Sequence, residues 1–289
     1  MQIQTLNSMA DGKNRQDGAI FGEYLFRFEA SGKCNVYKMN KLLNSSSANV
    51  SPATSFVLDK ADIIKPHSNS VAFGNEYFEK GDEFPLLYCN IYNNYAAFEN
   101  PLCGVTCVYR LVKNGESFKT TLVQLIEIGF TNDPVWRSEN IKDFRPFGNF
   151  AIDAENSLYY AFTMRDEEQI TRYFSFVLPK VSDGVFDAEY GVNRVILNKN
   201  HIITWFDCEY HRCIQGACCY KGFIYSTEGF TNSAENPPAI RIIDAKNKIQ
   251  IKKYLLSDYG ITVEPEMIDF ENDICYYSDD EGNFYKLTF

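Results

Sequence analysis

Residues 214–226 read "IQGACCYKGFIYS" and contain the unit that decides the fold. A short run of small and apolar residues is followed by a polar turn at Lys221-Gly222 and by a second apolar run. Two such runs around a tight turn are the signature of a β-hairpin. Gln215 opens the unit, and Ile224 and Tyr225 follow it at offsets of nine and ten residues. Those offsets can be traced through the rest of the chain.

The hairpin unit recurs along the whole sequence. Its copies begin at Gln16, Asn69, Asn149, Gln215 and Glu266. The first and last copies keep both offsets, with Leu25-Phe26 and Cys275-Tyr276 in the second strand. The copy at Asn69 is looser, because the charged insertion 76–83 displaces its second strand, "PLLYCNIY". A hairpin that recurs in this way predicts a repeat architecture.

The spacing of the copies indicates four-stranded units. Separations of 53, 80, 66 and 51 residues are long for a solenoid repeat but suit blades with loop insertions. Further strands follow two copies, "RYFSFVL" (172–178) in one and "AIRIIDA" with "IQIKKYLL" (239–256) in the other. The last copy has three strands, whereas the first strand of the chain, "MQIQTL", has no partner of its own. We therefore expect the N-terminal strand to complete the last blade and remove its open edge.

These repeats resemble the β-propeller superfamily, in a five-bladed form of bacterial type. The resemblance implies one all-β domain over residues 1–289, with the first strand of each blade lining a central channel. It also implies that the loops leading into those strands form the ligand-binding face. No Gly-His/Trp-Asp pair and no kelch double glycine occurs, so no functional family within the superfamily is matched. Six blades is the alternative, if the longest separation contains an additional unit.

Composition narrows the classes of partner. The net charge of −10 argues against a nucleic-acid binder. Aromatic residues, 15% of the chain, suit strands, and we expect those in "SLYYAFTM" and "RYFSFVL" to pack between blades.

The N-terminus lacks a signal-like apolar segment, and no stretch reaches about 18 apolar residues. We therefore expect a cytoplasmic protein that does not contact membranes, and we expect it to be a monomer. Few helices are expected, since no long stretch has a period of 3.6 residues. No cofactor is predicted.

The nine cysteines predict buried, reduced thiols. Their number is odd and most lie in apolar runs, unlike the dense, even pattern of disulfide scaffolds. A zinc site at Cys208, His211, Cys213 and Cys218 is disfavoured, because the spacing lacks two paired knuckles. Cys218 and Cys219 also lie in one strand, where neighbours face opposite sides. A Cys213–His211 catalytic pair has the right residue types, but closeness in sequence does not make a thiolate pair.

The first residue of each copy predicts a polar ring at the channel mouth. A second set of charged or imidazole residues precedes the copies. Together the predicted ligand-binding residues are Arg15, Gln16, His67, Asn69, Arg145, Asn149, His211, Gln215, Glu264 and Glu266. One interpretation is that a narrow channel needs small or polar, water-bridged side chains. The other is that the ring holds a polar ligand or an ion.

Three functions are compatible with this reading. We favour a non-catalytic binding module for a glycan or another small polar ligand at the channel face. Trp136, Trp205, Tyr210 and Phe147 are the aromatic residues expected near the ligand. The alternative is a glycan-directed hydrolase or lyase, with Glu266 and Asp17 as the pair of carboxylates. The third is a protein-interaction scaffold without a small-molecule site.

Overall fold

The structure is a computed structural model that describes part of the chain. The described residues are 1–10, 15–44, 49–91, 102, 104–130, 148–165, 169–211 and 213–289. Strands account for 57% of the described residues and helices for 7%, as expected from the absence of helical periodicity. Within the described residues the strands form five sheets, and the chain is a five-bladed β-propeller. No helix in these ranges is long and apolar enough to span a membrane.

The first blade follows the N-terminal strand. The elements up to residue 64 are β1 (Gln2–Met9), β2 (Arg15–Phe21), β3 (Tyr24–Glu29), β4 (Lys33–Lys38), α1 (Met39–Asn44), β5 (Asn49–Val50), β6 (Thr54–Val57) and α2 (Ala61–Ile64). Blade 1 has the strand order β2-β3-β4-β6, and all its neighbours are antiparallel. The hairpin predicted from Gln16 is therefore confirmed.

Blades 2 and 3 are linked by an additional hairpin, which lies between two strands of blade 3 in the sequence but belongs to the sheet of blade 2. Their elements are β7 (Val71–Phe73), β8 (Leu87–Asn90), β9 (Val105–Asn114), β10 (Ser117–Ile128), β11 (Asn149–Asp153), β12 (Leu158–Arg165), β13 (Ile170–Val177), β14 (Val185–Asp187), β15 (Val192–Leu197), a short 3-10 helix (Lys199–His201) and β16 (Thr204–Glu209). Blade 2 is β7-β8-β9-β10, and blade 3 is β11-β12-β13-β16. The hairpin β14–β15 leaves it and joins the outer edge of blade 2, where β15 runs parallel to β10. These strands extend an existing sheet and do not form a sixth blade.

Blades 4 and 5 complete the ring. Their elements are β17 (Ile214–Tyr220), β18 (Phe223–Glu228), β19 (Ala239–Asp244), β20 (Ile249–Leu255), a 3-10 helix (Leu256–Tyr259), β21 (Pro265–Glu271), β22 (Ile274–Asp279) and β23 (Asn283–Thr288). Blade 4 is β17-β18-β19-β20. Blade 5 is β21-β22-β23-β1, with β1 antiparallel to β23 and the short β5 parallel to β1. The predicted closure by the N-terminal strand is confirmed.

The hydrophobic core lies between the blades, with one cluster at each of the five blade interfaces. Strand β12 shows how the sequence produces this arrangement. Tyr159 packs toward blade 2, and the next residue, Tyr160, packs toward blade 4, because neighbouring strand residues point to opposite faces. Tyr173 stacks on Phe206 with ring centroids 5.2 Å apart. The prediction that strand aromatics pack between blades is confirmed.

The cysteines follow the same alternation. Cys218 lies in the core between blades 4 and 5, while Cys208 and Cys219 pack in the core between blades 3 and 4. These side chains therefore belong to two different interfaces and cannot meet around one ion. Among the described residues no group of three or more His, Cys, Asp or Glu side chains is placed to hold a metal.

Thiol labelling of the native protein is expected to be slow at most positions. Of the eight described cysteines, all except Cys213 and Cys219 are buried. Burial also raises the pKa of the thiol in Cys34, Cys89 and Cys218, which suppresses the reactive thiolate. Titration with a chromogenic disulfide should label all nine thiols only after unfolding. If some thiols of the native protein are labelled rapidly, the double variant Cys213→Ser with Cys219→Ser should lose most of that rapid labelling. Rapid labelling of six or more thiols in the native protein would contradict this packing.

Candidate functional site at the channel mouth

The innermost strands β2, β7, β11, β17 and β21 surround the axis, and the predicted ring lies at their first residues. Contacts between neighbouring strands hold it together. The backbone N–H of Asp17 donates to the carbonyl of Ser68 at 3.1 Å, and the N–H of Val71 donates to the Asp17 carboxylate at 2.9 Å. On the other side, an ideal Cβ built on Gly216 would be 2.4 Å from the carbonyl oxygen of Glu266. These inner strands approach one another through their backbones.

Two predicted ring residues are engaged inside the fold. Asn69 and Asn149 are each 2% exposed. The Asn69 side-chain oxygen accepts a hydrogen bond from the Asn90 amide, and the Asn149 amide donates to the Ser70 hydroxyl at 3.5 Å. Their amides connect adjacent strands of blades 2 and 3. They lie on the ring but beneath its exposed rim.

The rim contains Gln16, Gln215 and Glu264, which are half-buried. The Gln215 amide donates to the Glu264 carboxylate and, at 3.3 Å, to the carbonyl of Gly229. The Gln16 amide donates to the Arg15 carbonyl at 2.8 Å. Its side-chain oxygen has no hydrogen-bond donor among the described residues. The rim therefore presents amide and carboxyl groups side by side.

Below the rim lie two carboxyl groups, those of Asp17 and Glu266, which are 0% and 3% exposed. An ideal Cβ on Gly216 would be 3.0 Å from Asp17 Oδ1, so the two acidic residues flank this glycine. Burial raises the pKa of both carboxyls well above the usual range. The nearby Arg27 guanidinium lowers both pKa values and so opposes the effect of burial. The carboxyl groups of Glu264 and Asp17 raise the pKa of Glu266 further.

Arg27 is the basic residue beneath the ring. It is fully buried, and its Nη2 donates to the Asp279 carbonyl at 3.3 Å. Its Nε and Nη1, together with Asp17 Oδ1 and Glu266 Oε2, have no hydrogen-bond partner within the described part of the chain. Sequence reasoning missed Arg27. The sequence does contain a signal for it, a lone charged residue in the otherwise apolar strand "YLFRF". Because arginine is seldom fully buried without a partner, such a residue indicates a buried polar site.

Glu264 is the rim acid that titrates near neutrality. Partial burial raises its pKa to about 7, the charge of Asp280 adds to the shift, and the hydrogen bond from Gln215 opposes it. Asp269, further along β21, also has a pKa raised to about 7 by burial, although it accepts hydrogen bonds from the backbone of Ile20 and Phe270 at 2.7 and 2.8 Å. At the rim, Glu264 is therefore the group whose charge changes near neutral pH.

The Glu264→Gln variant is expected to gain stability relative to wild type as the pH rises. A carboxyl whose folded pKa is raised stabilises the fold below its unfolded pKa of 4.5, and this contribution is lost as the pH rises through about 7. Glutamine imitates the protonated acid and does not ionise. The melting-temperature difference between variant and wild type should therefore grow from pH 5 to pH 8.

A matched control is Glu116→Gln, whose side chain is 82% exposed in a turn away from the channel. Its difference from wild type should stay flat over the same range. Contributions from other titrating groups, including the histidines, cancel because each comparison is made at one pH. A flat Glu264→Gln profile would contradict the raised pKa.

The two predicted histidines are neutral and buried to different degrees. Burial lowers the pKa of His67 to about 4 and that of His211 to about 3. His211 uses both ring nitrogens within the fold: Nδ1 donates to the Glu209 carbonyl at 3.1 Å, and Nε2 accepts from the Tyr173 hydroxyl at 2.7 Å. Its ring thereby fixes the loop that leads into blade 4.

A small pocket opens beside the ring at His211. It has a volume of about 160 Å³ and is also lined by Tyr210, Cys213 and Gly229. Since the Gly229 carbonyl accepts a hydrogen bond from Gln215, the pocket is continuous with the rim. Tyr210 therefore lines a pocket next to the predicted ring.

Other predicted contacts are distributed differently. The Arg15 guanidinium donates to the Asp280 carbonyl, which brings it to the rim next to blade 5. Arg145, Trp136 and Phe147 lie outside the described residues. The expectation for Trp205 is wrong: it belongs to β16, the outermost strand of blade 3, where the Arg172 guanidinium lies 4.4 Å from its ring centroid. Its exposed ring therefore faces away from the channel.

A second buried charge cluster lies inside blade 4, and its arginine was not predicted from the sequence. Arg241, 1% exposed, donates from Nε and Nη2 to the two carboxylate oxygens of Glu228, at 3.0 Å each. Lys253 approaches the same carboxylate at 2.6 Å. This bidentate pairing satisfies both charges inside blade 4. Like Arg27, Arg241 stands alone in an apolar strand, "AIRII", and could have been recognised by that feature.

No protein-family description and no curated protein matches this sequence. Among solved structures, the chain is similar to glutaminyl cyclase from Myxococcus xanthus, with a TM-score of 0.51, 9% identity, and 98% of this chain and 94% of that chain covered. It is also similar to hydrazine synthase from Kuenenia stuttgartiensis (0.40, 11%, covering 91% and 61%) and to Sqt1 from Saccharomyces cerevisiae (0.37, 8%, covering 91% and 54%). At 9% identity the first likeness shows the fold alone.

Proposed function

We propose that the protein is a binding module for a small polar ligand, such as a glycan, at the channel mouth. The observation that carries the proposal is the group of buried polar atoms without partners in the described part of the chain. They are Asp17 Oδ1, Glu266 Oε2, Arg27 Nε and Nη1, Ser68 Oγ and Ser278 Oγ. A buried polar atom without a partner costs about 1–3 kcal/mol, so a group of them calls for a polar molecule to satisfy it.

The chemistry of the rim suits an uncharged, hydroxyl-rich ligand. Gln16 and Gln215 offer amide donors and acceptors, and a protonated Glu264 offers both in one group. Below them, burial raises the pKa of Asp17 and Glu266 and so favours the protonated form, in which a carboxyl donates as well as accepts. Such a mixed lining matches hydroxyl groups, which also donate and accept.

Catalysis is the second candidate, and Glu264 is the observation that favours it. Hydrolysis of a glycoside needs one ionised and one protonated carboxyl group. The predicted pair, Glu266 and Asp17, is disfavoured because burial raises the pKa of both carboxyls, so that neither supplies the ionised group. A pair formed by Glu264 as base and Glu266 as acid fits better, since Glu264 is half-buried and ionises at about pH 7.

A thermal-shift screen of sugars, sugar acids and polyols tests the binding proposal. A ligand that binds only the folded state raises the melting temperature with concentration. We expect at least one compound to do so in wild type, and Gln215→Ala and Glu264→Ala to weaken its binding about tenfold or more, as expected on losing a hydrogen bond to a partly buried charged group. Glu116→Ala is the control and should bind as wild type does.

The same compounds distinguish binding from catalysis. Each stabilising compound is incubated with the protein and followed by mass spectrometry for cleavage. An intact compound supports a binding module, whereas cleavage that is lost in Glu264→Gln supports the hydrolase. Equal stabilisation of wild type and both rim variants would place the ligand elsewhere on the protein and contradict the proposal.

A further inference from the structure

A groove of about 860 Å³ opens between blades 3 and 4. It lies at the opposite end of the inner strands from the channel mouth, because the turns after β11 and β17 form part of its lining. This volume is within the range of small-molecule sites. Neither the ring of polar residues nor the proposed function involves this face.

Two turns with the same sequence frame form the walls of the groove. Blade 3 contributes Asp-Ala-Glu-Asn-Ser (153–157) and blade 4 contributes Asp-Ala-Lys-Asn-Lys (244–248). In each turn the aspartate accepts hydrogen bonds from the backbone and side-chain nitrogens of the asparagine, at 3.0 and 2.9 Å in the first and 2.8 and 2.7 Å in the second. The last residue of each has a left-handed backbone, with φ of 54° and 61°. The two frames are therefore alike in shape.

Both frames are also anchored to the propeller. The Asn75 amide donates to the Ala154 carbonyl at 2.8 Å and to the Ser157 hydroxyl at 2.6 Å. In blade 4, the N–H of Ala245 donates to the Gly222 carbonyl at 3.1 Å. The aspartates are engaged within their turns, and Lys221 is held by an ion pair with Asp273. The charges that remain for a ligand are those at the exposed turn positions.

Those exposed charges have opposite signs on the two walls. Where blade 3 has Glu155, blade 4 has Lys246, and where blade 3 has Ser157, blade 4 has Lys248. Glu155, Lys246 and Lys248 are all exposed and line the same groove. One wall therefore attracts a cationic group and the other an anionic group.

Apolar side chains lie between the charged walls. Leu158 and Phe223 line the groove, together with Ile203, which is 56% exposed. Tyr160 also lines it, although its ring packs into the core between blades 3 and 4. An apolar floor between two opposite charges is complementary to a molecule with an ammonium group at one end, a carboxylate at the other and a hydrocarbon segment between them.

We propose that this groove binds small zwitterions of the ω-amino carboxylate class. The ammonium end lies at Glu155, the carboxylate end lies at Lys246 and Lys248, and the methylene chain covers Leu158 and Phe223. The site is independent of the channel mouth.

Four probes of equal chain length test the proposal by calorimetry: ε-aminocaproate, caproate, hexylamine and caproamide. The zwitterion should bind the full chain more tightly than either singly charged probe, by up to about fivefold, the ratio expected when one exposed ion pair is lost. The neutral amide should bind most weakly. Equal binding of all four probes, or no binding of the zwitterion, would overturn the proposal.

Charge exchange between the walls gives the sharper test. Glu155→Lys makes both walls positive. The double variant Lys246→Glu with Lys248→Asn makes the blade 4 wall negative. Asparagine is chosen at position 248 because it tolerates the left-handed backbone there. Each variant should lose the preference for the zwitterion, with the first preferring caproate and the second hexylamine. The variant with all three substitutions restores opposite walls and should recover the preference.

Two controls separate the groove from other sites and from unfolding. Lys252→Glu reverses an exposed charge on β20 outside the groove and should bind the zwitterion as wild type does. Glu264→Gln at the channel mouth should also leave it unchanged, so that the two sites can fail independently. Since the groove substitutions are at exposed positions, their melting temperatures should stay within about 2 °C of wild type. Retention of the preference in both single-wall variants would refute the site.

Discussion

Removal of residues 1–8 is expected to lower the melting temperature by about 10 °C or more, or to cause aggregation on expression. The deleted segment is almost all of β1, the fourth strand of blade 5. It pairs with β23 from Gln2 opposite Thr288 to Thr5 opposite Tyr285. Each lost backbone hydrogen bond removes about 1 kcal/mol, against a total stability of about 5–15 kcal/mol. The truncation also uncovers an edge of β23.

Side-chain contacts add to this loss. The Asn7 amide donates to the carbonyl of Leu42 at 2.5 Å and so fastens α1 to the strand. Leu6 packs against the cluster between blades 5 and 1, and Ile3 against the cluster between blades 4 and 5. The deletion therefore weakens both interfaces of the last blade.

Complementation in trans separates strand closure from unrelated damage. A synthetic peptide "MQIQTLNSM", corresponding to residues 1–9, should raise the melting temperature of the truncated protein, and more so at higher peptide concentration. A peptide with the same composition in scrambled order lacks the register of β1 and should have no effect. A truncated protein that melts within about 2 °C of the full chain would show that closure does not depend on this strand.

The closure could be predicted because its signal is local at both ends of the chain. Three strands follow Glu266 where four are needed, and one alternating strand precedes Gln16 without a partner. The hairpin β14–β15 had no such signal. Its place is set by parallel pairing with β10, more than sixty residues earlier, and this pairing depends on tertiary contacts that no repeat offset encodes.

The sequence register accounts for where the ring residues lie in the fold, but not for the direction of their side chains. The hairpin register placed Gln16, Gln215 and Glu264 near the channel mouth, because each precedes or begins an inner strand. Whether a polar residue reaches the rim depends on the neighbouring strand. Asn69 turns toward Asn90 and so lies below the rim. Such contacts between distant segments are not visible in the local sequence.

The Gly216→Val variant tests the axis of the ring and is expected to lose about 3 kcal/mol or more, the upper end of the range for overpacking. A side chain there would be 2.4 Å from the Glu266 carbonyl oxygen and 3.0 Å from Asp17 Oδ1. Three inner strands, β2, β17 and β21, meet at this point, so the methyl groups must push them apart. The loss corresponds to a fall in melting temperature of about 6–12 °C.

A second glycine of the same hairpin supplies the control. Gly222 has φ of 78° and no atom within 4 Å of its ideal Cβ, so Gly222→Asn should cost little, because asparagine tolerates this backbone. Removing the Asp17 side chain as well should not rescue Gly216→Val, since the closest contact is with the backbone of β21 and not with a side chain. Urea unfolding and thermal melting of the three variants measure these differences. If Gly216→Val is as stable as Gly222→Asn, strands β17 and β21 do not approach each other at the axis, and Asp17 and Glu266 do not flank Gly216 as described.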